Sequence, residues 1–143
     1  MALKAYEGGC MCGAIRFVAE GEPLRVGLCH CTACRRNTGT HFAVFAIWGA
    51  DQVHVEGQTA FFRSSDKGER HFCGRCGAPL FYAEPGERAV HVGAFDDPDH
   101  FRPTYELWAK RRVGWLPIMA GVERYPEDRP SSGRSPAPRP ASE

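Results

Sequence analysis

The chemistry of this 143-residue chain lies in seven cysteines that fall into spaced groups. The stretch "FCGRCGAPL" holds Cys73 and Cys76 as a CxxC followed by Gly77. That is the zinc-knuckle arrangement, in which two thiolates grip one ion while backbone N–H groups point at the sulfurs. "GGCMCGAIRF" supplies Cys10 and Cys12 as a CxC, again beside glycines. On an extended strand residues i and i+2 share a face, so both sulfurs can reach the same ion, whereas a disulfide across so short a span would be strained. The two pairs together give four thiolates, a closed tetrahedral set that reads as a structural zinc. It would join the first hairpin to a turn about sixty residues later and contribute folding free energy outright.

The remaining three, Cys29, Cys31 and Cys34, crowd into "LCHCTAC". Three protein ligands with the fourth position left to water or substrate form the pattern of a catalytic zinc. His30 sits between two of these ligands and is expected to face away from the metal, in a packing or ligand-orienting role. His41 is the protein candidate for a fourth ligand or nearby base, with an ordinary strand histidine as the alternative. His54, His71, His91 and His100 have no spacing that singles them out, although His71 lies close to the knuckle. For the cysteines as a whole the competing reading is a set of buried, reduced, small apolar fillers.

A zinc with four thiolates carries two net negative charges and one with three carries one, so nearby cations would be useful. Arg35 and Arg36 directly follow Cys34, where they can neutralise the cluster, receive a ligand carboxylate, or simply form a solvated basic pair. "AFDDP" at Ala94 to Pro98 reads as a turn rather than a catalytic carboxylate pair. Trp108 and Trp115 can wall a ligand cleft or pack the core, and core is the expectation.

The elements that must position these residues are mostly strands. Short apolar and β-branched runs separated by Gly, Pro and Asp turns recur at "AIRFVAE", "HFAVFAIW", "DQVHVEG", "TAFFRSS", "PLFYAEP", "AVHVGAF" and "TYELWAKR". Helix is scarce, and "CTACRRNTG" is the one short helical stretch expected, with Cys31 or Thr32 near its start and Gly39 past its end. Residues 1–125 read as one domain. Residues 126–143, rich in Pro, Ser and Arg and without apolar periodicity, read as a disordered tail.

At 43% hydrophobic and 24% charged the chain reads as globular, and its longest apolar run is too short to cross a bilayer. A net charge of +1 gives no field to hold a nucleic acid or a membrane surface. The first residues have neither a basic start nor an apolar core, so a cytoplasmic, reducing setting is expected, with free thiols or metal thiolates.

Four blocks, "GGCMCGAIRF", "CHCTACRRNTGTHFAVFAIW", "FFRSSDKGERHFCGRCGAPLFY" and "VHVGAFDDPDHFRPTYELWAKRRVGWL", resemble in order those of the glutathione-dependent formaldehyde-activating enzyme family, also called GFA or CENP-V domain proteins. The resemblance spans about Tyr6 to Leu116, with all seven cysteines in register. It implies a mainly β, β-tent zinc-binding fold similar to that of the Rab-accessory zinc proteins, in a single domain. By matching position it implies a closed structural zinc at Cys10, Cys12, Cys73 and Cys76 and a second zinc at Cys29, Cys31 and Cys34, which three thiolates would hold less securely than four.

The activity it implies is a carbon–sulfur lyase running in reverse, condensing glutathione or a similar thiol with formaldehyde or a related small aldehyde. Arg35, Arg36, Arg63 and Arg111 are the arginines that could hold the carboxylates of glutathione. Two other readings stand beside it: a non-enzymatic zinc module with a protein-interaction or chaperone-like role, and a thiol redox sensor in which the trio releases zinc on oxidation. Substrate identity transfers less well than fold.

Overall fold

The computed structural model describes residues 3–130. In chain order the elements are β1 (Ala5–Gly9), β2 (Arg16–Glu20), β3 (Arg25–Cys29), α1 (Thr32–Thr38), β4 (Ala43–Gly49), β5 (Val53–Glu56), β6 (Ala60–Arg63), β7 (Glu69–Phe72), β8 (Pro79–Glu84), β9 (Glu87–His91), β10 (Tyr105–Leu107) and β11 (Glu123–Arg124). They form a three-stranded sheet, β1-β2-β5, and an eight-stranded sheet, β11-β10-β3-β4-β9-β8-β7-β6. Pairing is antiparallel throughout except where β10 runs parallel to β3 and β11. This is the mainly β single domain with one short helix that the sequence leads one to expect. No helix among the described residues is long and apolar enough to cross a membrane.

Strand alternation gives the large sheet two functional faces. On β4, Val44, Ala46 and Trp48 point to the main core, which they share with Tyr6, Phe17 and Ala19 of the small sheet and with Ile15 just before β2. Ala43 and Phe45 point the other way, into a second cluster built around Cys29, Cys31, Cys34 and Trp108. Cys29 enters that cluster because its register partner on β4 is Ala43 and on β10 is Leu107. A one-residue slip of β3 would carry its sulfur to the wrong face.

The small sheet meets the segment that follows β9 where Gly8 bridges to Phe95. A Cβ at Gly8 would lie 2.3 Å from the Ala94 carbonyl oxygen and 2.9 Å from Phe95 Cα, backbone atoms that cannot swing aside. Gly8→Ala is therefore expected to destabilise the domain by about 1–3 kcal/mol. Urea unfolding should show a lower midpoint at an unchanged slope.

Residues 126–129, at the start of the expected tail, are bonded to the domain. Glu127 and Tyr125 carbonyls accept the N–H groups of Trp108 and Ala109 at 3.0 Å each, and Asp128 accepts the Trp108 indole N–H at 3.0 Å. The rest of that tail, 131–143, lies outside the described residues.

Glu84, at the end of β8, is buried, and one of its carboxylate oxygens has no hydrogen-bond partner. Burial, aided by the charge of Glu87, pushes its carboxyl up to about 7 from an ordinary 4.5. The folded state thus holds this proton more tightly than the unfolded chain. Its contribution is fully present below pH 4.5 and is lost as pH rises through 7. Glu84→Gln is expected to stabilise the protein by up to about 3 kcal/mol at pH 8 and by little at pH 4.5. Thermal unfolding of both proteins across that range checks the sign.

Candidate functional site

Two turns build the first cluster. Cys10 and Cys12 lie between β1 and β2, and Cys73 and Cys76 between β7 and β8. In the sequence "CMCGAI" reads as a turn running into a strand, with strand geometry bringing both sulfurs to one face; the structure places the pair in the hairpin turn, closed by the Cys10 N–H donating to the Ile15 carbonyl at 3.1 Å. The chain leaves β1 at Gly9 and must reverse before Arg16, so the turn itself brings the two sulfurs together.

Cys10 Sγ is 3.7 Å from Cys12 Sγ, which is 3.8 Å from Cys73 Sγ. Sulfurs at the corners of a tetrahedron with metal–sulfur bonds of about 2.3 Å lie about 3.8 Å apart, whereas a disulfide needs about 2.05 Å. The four thiols therefore fit a zinc-sized cation. Backbone donors complete the knuckle: Cys10 Sγ accepts the Ile15 N–H at 3.2 Å, and Cys73 Sγ accepts those of Arg75 and Cys76 at 3.3 and 3.4 Å.

The second cluster joins the end of β3 to α1. Cys31 is the N-cap of the helix, its Sγ accepting the Cys34 N–H at 3.2 Å, and Gly39 closes the other end at φ 76°. Cys29, Cys31 and Cys34 are all buried, with their sulfurs within 4.8 Å of one another. Hydrogen bonds from Cys29 and Cys31, with the charge of Arg70, hold Cys34 well below the usual thiol range. Sharing those bonds, together with burial, pushes Cys29 far above it. Three sulfurs this close cannot all ionise cheaply on their own, because like charges repel. A cation is what would let all three sulfurs ionise.

His30 faces away from the trio. Its Nε2 lies 2.7 Å from Glu106 Oε1, both side chains fully buried, and its ring packs edge-on to Phe42. Glu106 in turn pairs with Arg124 Nε at 2.9 Å and Arg112 Nε at 3.4 Å. Those arginines donate to the Leu116, Pro117 and Met119 carbonyls, strapping the following loop down.

His41 belongs to neither cluster: its Nδ1 is 3.2 Å from Thr40 Oγ1 and its ring packs against Phe42 and Trp115. His71 is stacked between Phe61 and Phe81 and bonded to Thr59 and Glu69 rather than to cysteine. Trp108 packs in the trio's cluster, but Trp115 is 71% exposed, contrary to the expected core placement, because the loop that bears it lies over His41 at the surface.

Of the expected arginines, Arg35 is half-buried with Nε lacking a partner, Arg36 is exposed, Arg63 is paired with Glu69, and Arg111 lies over the Trp108 ring. The arginine that reaches a trio sulfur is Arg70 on β7, which sequence reasoning missed. Its Nη1 is 3.9 Å from Cys34 Sγ and 3.3 Å from Asn37 Oδ1. The signal available was an arginine in the strand that runs into the CxxC turn, three residues before Cys73.

A cavity of about 530 Å³ opens beside the first cluster, with Cys10, Thr38, Phe42, His91 and Asp96 in its wall together with Ala43, which packs against the trio on its other side. Burial and the charge of Arg70 hold the His91 imidazole down to about 4, so it is neutral near pH 7.

Residues 5–111 match the sequence profile described as glutathione-dependent formaldehyde-activating enzyme. A Halomonas elongata protein provisionally named as such an enzyme is 35% identical over 125 residues, 78% of this chain and 80% of its own length. An uncharacterized lyase of Schizosaccharomyces pombe is 35% identical over 81 residues, covering 57% of this chain and 59% of its own. A crystal structure of a Rhodobacter sphaeroides protein superposes with a TM-score of 0.54 at 23% identity, over 66% of this chain and 93% of that one, and is evidence for the fold alone. The matched span contains all seven cysteines and every strand of the two sheets but the last, and on that evidence the chain belongs to the glutathione-dependent formaldehyde-activating enzyme family.

Proposed function

We propose that this protein condenses a small-molecule thiol such as glutathione with formaldehyde or a related small aldehyde to an S-hydroxymethyl thiol, using a zinc at Cys29, Cys31 and Cys34. A second zinc, at Cys10, Cys12, Cys73 and Cys76, has a structural role. The observation that carries this reading is the three-sulfur set itself: among the described residues no fourth cysteine, histidine or carboxylate joins it. A zinc held by three thiolates supplies an open coordination position and Lewis acidity, the chemistry that activates a thiol or polarises a carbonyl at neutral pH.

The chain's own residues do the rest. Phe42, Ala43 and His91 wall a cavity able to hold a small aldehyde, and Ala43 also packs in the trio's cluster. His91 stays neutral there, so it offers a hydrogen bond without competing as a cation. In the reaction the sulfur–carbon bond forms, the carbonyl π pair moves to oxygen, and the proton lost from sulfur ends on that oxygen. Arg35 and Arg36 remain the proposed contacts for the thiol's carboxylates.

Native mass spectrometry of freshly reduced protein, with and without glutathione, tests the reading. Two zincs per chain and a glutathione adduct are expected, together with faster formation of the S-hydroxymethyl product from ¹³C-formaldehyde than in buffer alone. One zinc and no adduct would leave a structural zinc module without thiol chemistry.

A further inference from the structure

Arg70 is 7% exposed. Its Nε donates to Ser64 Oγ at 3.2 Å, its Nη1 to Asn37 Oδ1 and Cys34 Sγ, and its guanidinium lies over the Tyr82 ring at 5.2 Å. Among the described residues it is in no ion pair with a carboxylate. A buried guanidinium without a carboxylate is costly unless another anion faces it. The anion it would face, once a metal has ionised the thiols, is the cysteine trio, whose Cys34 Sγ lies 3.9 Å from Nη1.

We propose that Arg70 determines which fourth ligand the second centre accepts, favouring an anionic thiolate over a neutral donor. The inference rests on the reading of the trio as an open zinc site. A zinc with three thiolates has one net negative charge, which the guanidinium balances; an incoming thiolate then leaves a single net negative charge in a buried place. Without Arg70 the same event would leave two, and a neutral donor such as imidazole would be favoured. Hydrogen bonding from an arginine to a ligating sulfur is also the kind of contact that orients a ligand and tunes its metal. Arg70 acts through charge and through Cys34, so it is a specificity-determining residue rather than a proton donor to substrate.

The experiment uses the full chain loaded with cobalt(II) in place of zinc, and reads the ligand-field spectrum during separate titrations with 2-mercaptoethanol and imidazole. Neither probe carries a carboxylate, so Arg35 and Arg36 do not enter. Arg70→Gln is expected to weaken thiol binding about tenfold or more while changing imidazole binding by less than about twofold. Arg70→Lys should keep most of the thiol preference. Asn37→Asp keeps the guanidinium but places a carboxylate beside it, and should also erode the preference, which covers the case that Arg70→Gln does not fold.

The four-cysteine site takes no added ligand, so its cobalt spectrum reports folding in every variant. Equal loss for both probes, or none, in Arg70→Gln together with an unaltered preference in Asn37→Asp overturns the inference alone. A wild-type protein that takes up no thiol overturns the open-site reading and the inference with it.

Discussion

Cys73→Ser is expected to leave the protein unable to fold at 37 °C. Cys73 Sγ sits at the centre of the first cluster, 3.8 Å from Cys12 Sγ and accepting two backbone N–H groups. The cluster ties turns separated by 61 positions, from the small sheet to the large one. Binding of a structural zinc by such a set is worth about 10–16 kcal/mol, while a whole domain is stable by only about 5–15 kcal/mol. Removal of the ion should therefore exceed the margin. Far-ultraviolet circular dichroism of Cys73→Ser should lose its cooperative melt, and a strong chelator should do the same to the wild-type protein. A variant that melts within a few degrees of wild type, with the chelator without effect, would mean that the sheets hold together through the apolar core alone. That outcome would demote the first cluster to the small apolar filler of the competing reading.

The metal-binding logic of this chain was legible because thiols at short spacings have few other uses in a reduced protein, and both the four-plus-three partition and the cap residues of α1 could be read directly. Strands with β-branched or aromatic alternation, such as β4 and β9, were legible for the same local reason. β3, which delivers Cys29, was not. "RVGLC" has a glycine at its centre, and that glycine is explained only by the tertiary contact that needs it: a Cβ at Gly27 would fall 2.3 Å from the Tyr105 ring on the neighbouring parallel strand. β7, "ERHF", was equally silent because three of its four residues are polar, and Arg70, its buried charge, is held by Cys34 and Asn37, 36 and 33 positions away.

The residues around the trio follow the same division. That His30 points away from the metal follows from strand geometry, but its partner Glu106 lies 76 positions on and has no local signature. Arg35 and Arg36 were conspicuous because they adjoin Cys34 in sequence, yet Arg70, 36 positions away, makes the contact. Sequence proximity identifies ligands that a single turn can gather. Counter-charges and orienting groups come from across the sheet, and only its register reveals them.

The second large effect separates the two clusters. Cys31→Ser is expected to keep the fold, reduce zinc from two per chain to one, and lower the rate of thiol–aldehyde condensation by about 10³-fold or more, the several kcal/mol a metal supplies to such a transition state. The substitution is chosen for what it preserves. Cys31 is the N-cap of α1, accepting the Cys34 N–H, and serine is among the best residues for that position. The helix should therefore start where it does now, and the loss falls on the metal. Stability should drop far less than in Cys73→Ser, because α1 and the trio join neighbouring segments of one sheet rather than two sheets. Zinc analysis, a melting curve and the initial rate with ¹³C-formaldehyde and glutathione decide it together. A folded, one-zinc protein with the wild-type rate would remove the trio from the chemistry and leave the cavity beside Cys10 and His91 to account for it.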